Sequence, residues 1–144
     1  MPTERVLVDA GPLVALLNAR DAAHADCSVA IKTLSKPLIS SWAVLAEAAW
    51  LLRHTHGGFQ GLMRMVTENI VACPDLNSNA AGWIARCELR YADLKPQLAD
   101  LTLLYLARQL KTNNVFTLDR RDFFVFKTDE NEAFRLIPQA APAP

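Results

Sequence analysis

The chain has no excess of charge of either sign. Fifteen lysines and arginines balance fifteen aspartates and glutamates, for a formal net charge of zero. That excludes a strongly basic nucleic-acid binder of the histone type. No apolar run is long enough to cross a bilayer, the longest candidates being broken by Glu47 and Asp100. Val6 to Val8 is far too short for the apolar region of a signal peptide. Cysteine is scarce and odd in number: Cys27, Cys73 and Cys87 form no CxxC pair. They read as reduced core thiols of a cytoplasmic protein. Linkers and repeats are absent, and the only biased segment is the Ala/Pro-rich end. Residues 1–138 are therefore expected to form one domain, with 139–144 a frayed tail.

What is present is an alternation. About half of the 144 residues are apolar, enough for a sizeable core. Short apolar strands are predicted at 5–8, 38–40, 70–73, 115–118 and 134–137. Helical patterns occupy the segments between them: a helix opened by Gly11-Pro12, then 22–34, 41–54, 59–69, 79–91 and 97–111. Pro12 is expected at the first helical position, Ser41 as an N-cap, and 120–124 as a turn. Strands alternating with helices imply an α/β fold with a parallel sheet covered on both faces.

Four carboxylates sit where charge is costly. Asp9 ends the run Val6-Leu7-Val8, and Asp119 ends the run VFTL in the same manner. In an open parallel sheet both would lie at the carboxyl edge, where ligands bind at the reversal of strand order. Glu47 has Ala43, Val44, Trp50 and Leu51 at helical spacing and is expected in a buried stripe. Asp100 lies near the N-terminus of a strongly apolar helix. Each acid alone has an ordinary explanation: a helix cap, a dipole partner, an Asx-turn or a buried ion pair. Together they suggest one cause. Converging anions repel and raise one another's pKa unless a cation joins them. Carboxylates without clustered His or Cys favour Mg²⁺ or Mn²⁺, one ion or two, over zinc. If four acids neutralise cations, the remainder of the chain carries 15 − 11 = +4, a modest basic surface for a phosphate backbone.

At this point the chain resembles the PIN-domain family, and within it the compact VapC-like toxins of VapBC toxin–antitoxin pairs. The resemblance covers nearly the whole chain and rests on VLVDAGPLVALLN, SWAVLAEAAWLLR, YADLKPQLADLTLLYLARQL and VFTLDRRDF. It implies a three-layer α/β/α fold with a small parallel sheet, and a metal-dependent endoribonuclease. Asp9, Glu47, Asp100 and Asp119 would be its metal-holding, catalytic acids. Thr117 matches the family's small hydroxyl residue before the last acid. Asp93 is assigned to its loop, and Asp122 is ranked below Asp119. The implied partners are RNA, a cognate antitoxin and a second copy of the chain. Arg120 and Arg121 are expected, with Thr117, to face the substrate phosphate.

The leading alternative is a non-catalytic metal-binding or partner-binding α/β domain. A phosphoacceptor receiver would want a lysine after a late apolar strand, and Lys127 is poorly placed for that. His54 and His56 lack further ligands nearby and read as helix-terminal residues. Trp42, Trp50 and Trp83 are spaced like core or interface residues, without the basic–aromatic interleaving of a base-stacking surface. The apolar residues of 13–17 and 29–34 suit either core or a groove for an antitoxin helix.

Overall fold

The computed structural model of the protein describes residues 4–138. The proposed tail at 139–144 lies outside them. Five strands form one sheet: β1 (Leu7–Val8), β2 (Leu38–Ile39), β3 (Val71–Ala72), β4 (Asn114–Phe116) and β5 (Arg135–Ile137). All neighbouring pairs are parallel, in the order β3-β2-β1-β4-β5. The strands are short, and in β1, β2 and β4 every residue is buried. Successive side chains of a strand point to opposite faces, so both faces are covered and the architecture is three-layered α/β/α.

The helices are α1 (Ala10–Leu17), α2 (His24–Ile31), α3 (Trp42–Leu51), α4 (Gly58–Thr67), α5 (Asn79–Arg90), α6 (Leu98–Leu110) and α7 (Arg120–Val125), with a 3₁₀ turn at Ala92–Leu94. Helix α1 packs on α2, α3 and α4, while α6 packs on α3, α5 and β1. Helix α6 is the most deeply set, with every residue from Ala99 to Ala107 buried. No helix of the described residues is long and apolar enough to cross a membrane. Cys27, Cys73 and Cys87 are free thiols, the first and last buried.

Several expectations shift. Asp9, not the Gly11-Pro12 pair, opens α1, which places Pro12 third in the helix. The prolyl nitrogen still falls within the first turn, where amide hydrogens lack intrahelical partners. Helix α2 is shorter than 22–34, and α3 ends at Leu51 rather than His54. The segment after Asp119 is a helix, not merely a turn. Its cause is aromatic. Phe123 is buried edge-on against Phe126 and Phe134, with ring centroids 5.2 and 5.9 Å apart, and Phe126 meets Tyr91 at 5.0 Å. Edge-to-face packing of this kind pulls the segment inward.

Candidate metal centre

Strand order reverses between β1 and β4, the inner pair whose chain connections leave in opposite directions. Asp9 follows β1 directly, and Asp119 follows β4 by three residues. The sheet therefore delivers two carboxylates to its own switch point. Helix α3 adds Glu47, and the first turn of α6 adds Asp100. All four line one cleft of about 430 Å³, joined by Asp122 from α7. Lys95 is the one basic side chain among the described residues lining it.

Each acid is held locally. Asp9 is 6% exposed. Its backbone N–H donates to Phe116 O at 3.0 Å. One carboxylate oxygen accepts from Ala10 N at 2.8 Å, and the other accepts from Thr117 Oγ1 at 3.0 Å. Thr117 Oγ1 also accepts from the backbone N–H of Asp119 at 2.9 Å. One hydroxyl thus ties the acid after β1 to the loop after β4. Asp119 caps α7, accepting from Asp122 N at 3.3 Å. Asp100 Oδ2 accepts from Gln97 N at 3.2 Å across the start of α6. Helix α3 is registered against α6 by a buried bond of 2.7 Å between Ser41 Oγ and Thr102 Oγ1. Ser41 Oγ also accepts from Val44 N, capping α3, so the helices bearing Glu47 and Asp100 share an anchor. Gly11 completes the wall: a Cβ there would come within 3.3 Å of Leu118 Cβ, beside Asp119.

The ordinary reading of Asp9 as a helix cap is therefore realised, and Asp119, expected in an Asx-turn, caps a helix instead. A carboxylate has about four lone-pair directions, so capping leaves oxygen free for another partner. No such partner exists among the described residues, whose two ion pairs, Arg108–Asp129 and Arg135–Glu4, lie elsewhere. The cleft is left electrostatically frustrated. Burial raises the pKa of Asp9 against the bonds from Ala10 and Thr117 that lower it, and Asp119 raises it further. Glu47 is raised by burial, then by the charges of Asp9 and Asp119. Asp100 is pushed to about 7 by burial first, then by Asp9, with smaller contributions from Asp119 and Glu47. Asp122 is raised by partial burial and by Asp119, and lowered by Arg121.

Three placements depart from the sequence reading. Glu47 is not on a buried stripe, since Trp50 and Leu51 are 64% and 51% exposed; it stands half-buried at the cleft. Thr117, expected to face the substrate phosphate, is fully buried with its hydroxyl bonded to Asp9. Arg120 and Arg121 are not among the residues lining the cleft, whereas Lys95 is. Asp122 lines it beside Asp119, and Asp93, assigned to its loop, does not. Lys95 follows the 3₁₀ turn in a left-handed conformation, φ 49°. Its signal was its place between Asp93 and Asp100 in the YADLKPQLAD motif.

The donors are oxygen-only, suiting a hard divalent ion. No group of three or more His, Cys, Asp or Glu among the described residues is drawn together as a ready-made ligand set. Neighbouring carboxylates add to burial in raising Asp9, Glu47 and Asp100, and a cation would offset that.

No family model matches the chain. Ribonuclease VapC26 of Mycobacterium tuberculosis (strain ATCC 25618 / H37Rv) is 28% identical over 136 residues, 92% of this chain and 100% of the relative. The crystal structure of Mycobacterium tuberculosis VapC20, a sarcin–ricin loop cleaving toxin, matches with a TM-score of 0.74. The fold is that of a VapC. The VapC20 match carries 20% sequence identity and covers 81% of this chain and 91% of that one. The VapC26 alignment spans that whole relative, so the VapC likeness is carried by the entire domain and not by one motif. The small parallel sheet between helical layers is the PIN-like architecture that the motifs implied.

One consequence of this geometry is direct. Thr117→Val removes the hydroxyl that holds Asp9 while preserving shape. Loss of such an outer partner typically costs about 10- to 100-fold in metal affinity or activity, and Thr117→Ser should restore most of it. Mn²⁺ titration and cleavage rates on both variants check this.

Proposed function

We propose that the chain is a metal-dependent endoribonuclease that hydrolyses RNA phosphodiester bonds, and that it acts as the toxin of a toxin–antitoxin pair. The single observation that carries the reading is the convergence of carboxylates from separate elements at the switch point, with a single lysine to oppose them. The ribonuclease VapC26 and the RNA-cleaving toxin VapC20 support the substrate class.

Asp9, Glu47, Asp100 and Asp119 are the residues that would hold Mg²⁺ or Mn²⁺, one ion or two, with Asp122 beside them. When bound, such an ion stabilises negative charge building at phosphorus and makes a water more acidic. The chain's own groups do the rest. Asp9 is fixed by Ala10 and Thr117, so its carboxylate needs no reorganisation. Glu47 is partly exposed at the cleft, which places it to accept a proton from the attacking water. Lys95 brings a positive charge to a phosphate entering the cleft. The cognate antitoxin would silence the toxin, the active form would be a homodimer, and the protein would work in the cytoplasm.

The test is cleavage of single-stranded RNA by the purified chain. Cleavage is expected with Mg²⁺ or Mn²⁺, to stop on chelation with EDTA and to return when Mn²⁺ is restored. Undiminished cleavage after exhaustive chelation would overturn the metal-dependent reading. A binding module would instead be stabilised by Mn²⁺ yet cleave nothing.

A further inference from the structure

Helical spacing puts Trp50 three residues and Leu51 four residues beyond Glu47 on α3, on one face. Glu47 and Leu51 line the acidic cleft, and Trp50 shares their side of α3 without lining it. Its side chain is 64% exposed, an unusual cost for an indole without a partner. One ring face is already organised. The Arg53 guanidinium lies 4.0 Å from the ring centroid, and Arg53 Nη1 donates to Trp50 O at 2.9 Å. The side chain is therefore pinned over the indole. Just beyond, His54 and His56 join Arg20 in lining a second cleft of about 680 Å³. Neither arginine takes part in an ion pair among the described residues.

A pinned cation stacked on an exposed aromatic is what a single strand needs, because every base has a flat face and every nucleotide a phosphate. Leu51 is exposed beside Trp50, but the surface then continues into Arg53, His54 and His56, with Arg20 across the second cleft, more polar than an apolar partner helix would want. We infer that Trp50 and Arg53 form a platform for an unpaired nucleotide of the RNA substrate, with the base on the indole and the flanking phosphate drawn to Arg53 and Arg20. This subsite rests on the nuclease reading and adds to it where the strand runs outside the carboxylate cleft.

The experiment uses the full chain and a single-stranded RNA oligonucleotide. In a non-cleaving Asp9→Asn background, RNA should quench tryptophan fluorescence, and Trp50→Phe should abolish most of the quench while keeping affinity within about threefold. Trp50→Ala should weaken binding about tenfold. In the cleaving protein, Trp50→Ala should raise KM by about tenfold with kcat unchanged, and the thermal shift by Mn²⁺ should not move. Arg53→Ala should weaken binding and flatten its salt dependence. If RNA is bound and cleaved but Trp50→Ala leaves affinity and KM within twofold, the platform is wrong and the nuclease stands. If the parent neither binds nor cleaves RNA, both fall. Quenching by a protein antitoxin but not by RNA would overturn the platform and give Trp50 to a protein contact.

Discussion

Asp9→Asn is expected to reduce RNA cleavage on the order of a thousandfold, because several kcal/mol of charge stabilisation would be lost and about 1.4 kcal/mol is tenfold. The substitution is close to isosteric. The amide oxygen can still accept from Ala10 N, and the amide nitrogen can donate to the Thr117 hydroxyl once that group turns. The buried bonds that join β1 to the loop after β4 therefore survive, and only the anion disappears. Its removal also relieves its neighbours, since Asp9 is a charge that raises both Glu47 and Asp100. The variant should melt at or above the parent in the absence of metal and should lose its thermal response to Mn²⁺. Steady-state cleavage, circular dichroism and melting curves read these three effects separately. Cleavage within tenfold of the parent would remove Asp9 from the centre.

Asp100→Asn separates stability from activity in a pH-dependent way. An unfolded aspartate titrates near ~3.9, whereas burial and Asp9 push Asp100 to about 7 in the metal-free fold. Between those values the folded chain binds the extra proton, so stability falls as pH rises and the deficit is complete above the folded value. A carboxyl moved that far sets an upper limit of about 4 kcal/mol, and water in the open cleft reduces it to about 1–2 kcal/mol. Asn carries no titrating group. The metal-free variant should thus match the parent near pH 4 and melt about 3–8 °C higher at pH 8, while cleavage falls by orders of magnitude. Mn²⁺ should stabilise the parent more at pH 8 than at pH 5, because it must displace that proton. A parent whose metal-free stability rises from pH 5 to pH 8, with the rise absent in the variant, would contradict this account.

The sequence exposed most of the framework because its signals were local. Residues 6–8 and 38–39 are apolar at consecutive positions, as strands buried on both faces must be. Ser41 precedes an apolar helical run and caps it as expected. What stayed hidden depended on distance. Whether α3 buries the residues around Glu47 depends on how it meets α1 and α6, and the packing leaves Trp50 and Leu51 outside. The helix after Asp119 depends on Phe134 and Tyr91, distant in sequence, so Arg120–Phe124 looked like a turn. Arg120 and Arg121 seemed the natural phosphate contacts because they adjoin Asp119 in sequence, yet the cleft is lined by Lys95. The Arg53–Trp50 stack was invisible to a search for alternating basic and aromatic residues, because it is made by helical spacing at the end of α3.

Crystals soaked in Mn²⁺ and measured at the manganese absorption edge test the central claim most directly. Anomalous density is expected in the cleft at the end of β1, with oxygens of Asp9 and Asp100 at about 2.0–2.3 Å from the ion, and none in Asp9→Asn crystals. A cleft without density at saturating Mn²⁺, or density confined to His54 and His56, would contradict it.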